Sequence, residues 1–233
     1  MPLEKCRRGL PLRTLLGFGP HDVEHGFSKF RDIGFTSEMA EALQAARVYT
    51  TIVEDYLRRA TVQPDFTMII DQRNLVHYSI LFLPSASEIP SLSHPEHGII
   101  YESCRLAALV YGVGVVFPLP AGSTPLSDLA RLIKAVLQIP STQSVWSSPD
   151  ACTALIWVLV LGGIAAENIS ERLWFVTALG HTARQNRIAC WDDLRSALGA
   201  MLWSDAACEQ PGKMLWVDVE RSFRFFTNGH GQR

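Results

Sequence analysis

From residue 36 onward, apolar residues recur at the three- and four-residue spacing of an α-helix. Met39, Leu43, Ala46, Val53 and Leu57 share one such face, with Thr36 or Ser37 as the cap and Glu38 and Glu41 near the positive end of the dipole. Arg58 and Arg59 suit the last turn, so the spacing predicts a helix of about six turns. Residues 66–83 contain strand-prone runs, Met68-Ile69-Ile70 and Tyr78-Ser79-Ile80-Leu81-Phe82-Leu83. No hairpin turn joins them, and Asp71-Gln72-Arg73-Asn74 continues a helix readily, so a helix is expected here too. A Ser/Pro loop follows over residues 84–95, and Pro95 suits the first position of the next helix. Thr124-Pro125 and Ser148-Pro149-Asp150 give the same start signal twice more. After Thr124, the expected buried stripe is Leu129, Leu132, Ile133 and Val136, with Asp128, Arg131 and Lys134 turned outward and Pro140 as the stop. Three further apolar faces close the pattern. They are Leu173, Trp174, Val176 and Leu179; Trp191, Leu194, Leu198, Met201 and Leu202; and, after Pro211-Gly212, Leu215, Val219, Phe223 and Phe226.

Two stretches are apolar on every side. Residues 106–121 and residues 151–166 each run for 16 positions without a charge. A bilayer span needs roughly 20 such residues, and prolines or acids bound both stretches, so buried core helices are expected rather than membrane spans. Gly162-Gly163 lowers helix stability near the end of the second. The whole reads as all-α, a single helical domain of about eight helices with two strongly apolar core helices. It occupies residues 36–233, behind an irregular N-terminal arm over residues 1–35 that shows no period.

Composition narrows the classes further. With 48% hydrophobic residues in 233, the chain has enough apolar surface for a sizeable core. A formal net charge of -2 gives no overall field to draw in nucleic acid or an anionic membrane. The five cysteines, at positions 6, 104, 152, 190 and 208, are odd in number and widely spaced, which fits a reducing compartment. Residues 1–13 are basic but lack the apolar run and small-residue site of a signal peptide.

Candidate chemistry is sparse. There is no nucleophile elbow, P-loop, dinucleotide fingerprint or HExxH motif. His21 with His25, and His94 with Glu96 and His97, have spacings a metal could use, yet each sits in or beside a loop and has no matching second ligand pair. No metal or other cofactor is therefore expected. Glu102, Glu171, Asp192, Asp193 and Asp205 stand near helix ends, where capping and ion pairing account for them. Cys104 and Cys152 lie in apolar helices and read as inert buried thiols, with no histidine beside them in sequence. The six tryptophans, among them Trp157, Trp174, Trp191 and Trp203, read first as core anchors and second as the lining of a ligand pocket. Arg105 is the most informative polar residue. It stands just before an apolar run and needs a partner, and Glu102 is three residues back on the same face. The two are expected to form a structural anchor rather than a catalytic pair.

Several segments together are similar to a known family. Glu102-Ser103-Cys104-Arg105-Leu106-Ala107-Ala108-Leu109-Val110-Tyr111 resembles the E-x-C-R-x-A-A-L-x-Y stretch of the fungal-specific transcription factor domain, the regulatory region of Zn2Cys6 zinc-cluster factors. Trp157-Val158-Leu159-Val160-Leu161-Gly162-Gly163-Ile164-Ala165-Ala166, Glu171-Arg172-Leu173-Trp174-Phe175-Val176, Trp191-Asp192-Asp193-Leu194 and Leu202-Trp203-Ser204-Asp205 with Cys208 follow in that family's order. The departure is the DNA-binding module. Six close cysteines would be needed to hold two zinc ions, and Cys6 is followed by none until Cys104. The resemblance thus implies a non-enzymatic, nuclear regulatory domain without autonomous sequence-specific DNA binding. Its implied partners are proteins of the transcription machinery or a co-regulator, or a small apolar effector, and no membrane. The alternative is a helical small-molecule-binding protein or enzyme of a fungal metabolic pathway.

Overall fold

The computed structural model describes residues 26–59, 66–92, 94–139 and 145–228, with backbone alone for residue 59 and residues 223–228. Eight α-helices lie within them: α1 Ser37–Arg59, α2 Phe66–Leu81, α3 Pro95–Tyr111, α4 Thr124–Leu137, α5 Pro149–Ala165, α6 Arg172–Gln185, α7 Trp191–Gly199 and α8 Asp205–Asn228. Two short 3₁₀ helices, Phe27–Ile33 and Ala86–Glu88, and a π-helical turn, Gly112–Val116, complete the set, and no strand occurs among the described residues. The protein is all-α, in one domain.

Start signals written in the sequence take effect locally. The Thr36 hydroxyl accepts from the Met39 amide at 3.2 Å, and the Ser148 hydroxyl accepts from the Ala151 amide at 3.1 Å. Each satisfies one of the orphan donors of a first turn. Pro95, Pro125 and Pro149 all occupy the first turn of their helices, where their missing N–H costs nothing. The cap of α4 is Ser123 rather than Thr124, one residue earlier than expected.

α5 is the hub. It packs against α3, α4, α6, α7, α8 and the first 3₁₀ helix, so a helix apolar on every side is covered on every side. Trp157 is fully buried, and its indole N–H donates to the Leu202 carbonyl at 2.6 Å. Glycine permits the closest of these contacts. A Cβ on Gly162 would lie 2.4 Å from Cε1 of the buried Phe175 ring on α6. The other apolar stretch, which begins at residue 106, behaves similarly. Residues Pro95–Val116 form a continuous run of 22 residues, long and apolar enough to cross a membrane, but 61% of its most apolar window is buried inside the structure. It packs against α4 and α5.

Four expectations need correction. The arm does not stay irregular to residue 35: Phe27, Phe30 and Ile33 repeat every three residues, the period of a 3₁₀ helix, and all three are buried. Their rings pack in sequence, Phe27 on Phe30 at 6.1 Å and Phe30 on Phe35 at 5.2 Å. Residues 1–25, with Cys6, His21 and His25, lie outside the described residues. The last helix does not begin after Pro211-Gly212 but at Asp205, and it runs through the proline. A proline inside a helix costs about 3 kcal/mol, and tertiary packing offsets it: Cys208 and Leu215 are buried on either side, and Gly212 lies against Trp191 and Trp203. On α4 the buried stripe is Leu126, Ser127, Ala130 and Ile133, while Leu132 is half exposed, because the partner helices cover an arc rotated from the one the apolar residues suggested. Leu57 and Leu173 are likewise exposed, at 61% and 69%. Pro140 and the side chains of Phe223 and Phe226 fall outside the description.

Candidate functional site

The expected anchor is present on α3. Arg105 donates through Nε to Glu102 Oε2 at 2.9 Å and through Nη2 to Oε1 at 2.6 Å, a two-pronged pair with both side chains about four-fifths buried. Glu102 Oε2 also accepts from the Ala86 amide at 3.0 Å, so the pair ties α3 to the 3₁₀ turn before it. One turn away, the Tyr101 hydroxyl donates to the Pro84 carbonyl at 2.9 Å, and burial pushes its phenol up to about 12. The hydrogen bonds that Arg105 donates to Glu102 hold it above the usual guanidinium range. Through these bonds the cluster ties α3 to residues 84 and 86 of the preceding loop and turn.

Two clefts are larger. One, of about 520 Å³, lies between α1 and the α7–α8 corner. Four of its five charged side chains, all but Asp192, are committed to holding the walls together. Arg47 donates to the carbonyls of Ala200 and Met201, both at 2.9 Å, and stacks on Phe27 at 4.3 Å. Glu54 accepts from the Ser204 hydroxyl at 2.8 Å and the Ala206 amide at 3.2 Å. Arg195 grips Asp205 through both Nε and Nη2, which lowers the carboxyl pKa.

The other cleft, of about 810 Å³, opens among α4, α5 and α6. Leu137, Leu155 and Leu159 contribute aliphatic wall, and Trp146 and Trp174 contribute aromatic surface. α6 lends Trp174, Ala178, His181, Thr182 and Gln185, which recur every three to four residues on one face. That stripe changes from apolar to polar along the helix, so the cleft has an apolar end and a hydrogen-bonding end. Some polar groups are already engaged: the Thr182 hydroxyl donates to the Ala178 carbonyl at 3.0 Å, and the Asn186 amide donates to the Thr182 carbonyl at 2.8 Å. His181 is exposed at the rim, as is Gln185.

Cys152 also lines this cleft, with His181 and Asn186. His181 stands far from this cysteine along the chain and reaches the cleft from the next helix. Burial raises the Cys152 thiol above its ordinary value, and a hydrogen bond with Asn186 lowers it only in part. A nucleophilic thiol needs the opposite shift. Cys104 and Cys208 are buried, and both thiols are raised by desolvation, Cys208 to about 12.

The remaining candidates find local roles. Asp193 accepts from the Ala189 and Cys190 amides at 3.0 and 3.3 Å, capping α7. The rings of His94 and His97 lie 5.3 Å apart at the start of α3. Among the described residues no three His, Cys, Asp or Glu side chains are grouped to hold a metal ion. Of the tryptophans named above, Trp157 anchors the core, Trp191 and Trp203 pair at 6.3 Å beside Gly212, Trp203 also lines the cleft at the α7–α8 corner, and Trp174 lines the cleft among α4, α5 and α6. Trp146, which the periodicity did not single out, joins it.

Comparison with known proteins returns no match from protein-family models, curated proteins or solved structures.

Proposed function

We propose that this chain is a helical regulatory domain acting in transcription, and that it responds to a small, mostly apolar effector held among α4, α5 and α6. The observation that carries the reading is the two-ended cleft, with Trp146 and Trp174 as aromatic surface and the His181–Gln185 turn as the polar end. Clefts of roughly 300–1,000 Å³ with apolar walls and a few polar groups suit small molecules. The transcriptional part rests on the ordered resemblance to the fungal-specific transcription factor domain. Those segments lie on α3, α5, α6, α7 and the start of α8. In this reading the domain works in the nucleus through a co-regulator or another component of the transcription machinery, and sequence-specific DNA contact is made by a different polypeptide segment.

The test uses bicyclic aromatic alcohols, 2-naphthol first. A ligand held only by the folded state raises stability by about 2.7 kcal/mol at a hundredfold excess over its Kd. Melting should rise by several degrees with 2-naphthol in the wild type and stay unchanged in Trp174→Ala. No shift across the panel removes the effector reading. The enzymatic alternative draws on the thiol, imidazole and carboxamide that share the cleft. Burst release of p-nitrophenol from an aryl acetate, lost in Cys152→Ser, would replace binding by turnover.

A further inference from the structure

Four arginines are half-buried among the described residues, and three of them have strong partners. Arg105 has Glu102, Arg172 has Asp218 at 2.8 Å and the Gly163 carbonyl at 2.9 Å, and Arg47 has two carbonyls. Arg73 on α2 is the exception. Its Nη2 reaches Asn74 Oδ1 only at 3.5 Å, its Nε is enclosed without a partner, and no carboxylate pairs with it among the described residues. A charge taken partly out of water without a counter-charge is costly, so this guanidinium is short of an anion. Its neighbours position it rather than neutralise it. The Phe117 amide donates to the Gly112 carbonyl at 2.9 Å, closing the π-helical turn that packs on α2. The guanidinium lies over the Phe117 ring, 4.7 Å from its centre. The His77 imidazole, one helical turn on, lies 5.4 Å from the same ring, with Nδ1 enclosed and unpartnered. Tyr49 on α1 is also close: burial raises its phenol, and the charge of Arg73 opposes that rise.

A guanidinium stacked on a ring has its plane fixed and keeps an edge for a planar partner with two oxygens. Arg73 Nη1 and His77 Nε2 are not enclosed and make no hydrogen bond among the described residues. They stand four residues apart, on one face of α2. With Nδ1 enclosed, the imidazole proton is better placed on Nε2, where a ligand can accept it. We propose that Arg73, His77 and the exposed side of Phe117 form a binding site for an aromatic carboxylate, separate from the cleft among α4, α5 and α6. The carboxylate accepts from Arg73 Nη1 and His77 Nε2, and the ligand's ring lies along Phe117, which is 45% exposed. Arg73 is the one permanent cation of the cluster. It matches a single negative charge, so a carboxylate fits better than a phosphate carrying nearly two. π-Helical turns recur at functional sites, and the role of this one is to deliver Phe117.

Fluorine NMR of 4-fluorobenzoate titrated with the full chain tests the site. Saturable binding with a Kd of about 1 mM is expected. The amide 4-fluorobenzamide, alike in shape but uncharged, should bind about tenfold more weakly. Arg73→Met should weaken 4-fluorobenzoate by about tenfold, and Arg73→Lys should not restore it, since lysine returns the charge without the planar edge. Trp174→Ala, in the other cleft, should leave the affinity unchanged. Where circular dichroism shows an Arg73 variant to be misfolded, the wild type still decides, through nuclear Overhauser contacts from the probe's ring protons to Phe117 and His77. No saturation up to about 20 mM, equal affinity for the amide, tighter binding of phenyl phosphate, lost binding in Trp174→Ala, or contacts to Trp146 and Trp174 instead would each overturn the proposal.

Discussion

α5 and α2 are both rich in large apolar residues, and neither confines them to a narrow stripe. Their fates are opposite. Eleven of the seventeen residues of α5 are buried, against two of the sixteen of α2. The difference does not lie in local propensity, since both form regular helices. It lies in position: α5 packs against six other elements, whereas among the described residues α2 packs chiefly against α1, α3 and the π-helical turn. Apolar residues on the central helix make the core, whereas the same residue types on α2 stay in part at the surface. α3 stands between the two, in contact with both, and carries its one ion pair at the solvent-facing end of its apolar run.

The sharpest way to break this comparison is to truncate one aromatic residue on each helix. Trp157→Ala removes a fully buried ring and its bond to Leu202, and should cost about 4 kcal/mol in urea unfolding. Tyr78→Ala on α2, measured at low protein concentration, should cost less than about 1 kcal/mol. Equal losses would mean that α2 is covered in the free chain. Gly162→Ala sharpens the picture because propensity and packing predict opposite signs. Helix propensity alone predicts a gain of about 1 kcal/mol. The new methyl would meet a buried ring 2.4 Å away, so a net loss of about 1–3 kcal/mol is expected from overpacking. A rise in Tm would show that Phe175 can yield. The change on α3 should cost less than the loss of Trp157. Arg105→Leu leaves Glu102 with only the Ala86 amide, and should lower stability by about 1–2 kcal/mol, because a two-pronged but partly solvated pair is worth less than a buried one. 2-Naphthol binding should be unaffected, and unchanged melting would remove the anchor role of Glu102 and Arg105.

Much of the helical framework was legible because its signals are local. Pro95, Ser148-Pro149 and Thr36 act within one turn, and Glu102 and Arg105 meet because three residues of helix bring them onto one face. The cleft was not legible in the same way. Leu137, Cys152, Trp174 and His181 belong to three helices, and no spacing along the chain relates a thiol on α5 to an imidazole on α6. The first 3₁₀ helix escaped for another reason: its three-residue period is too short a run to stand out among glycines and charges.

The sequence by itself determined that the chain is helical, where most helices begin, and which two stretches are too apolar to face water alone. Only the tertiary structure decided which apolar residues are covered. It buried Phe27 and Phe30, left Leu132, Leu173 and one side of α2 exposed, and carried α8 through Pro211. Helix formation is governed by residues within four positions of one another. Burial is governed by partners dozens of residues away, and their approach can outweigh a proline or select one arc of a helix over another.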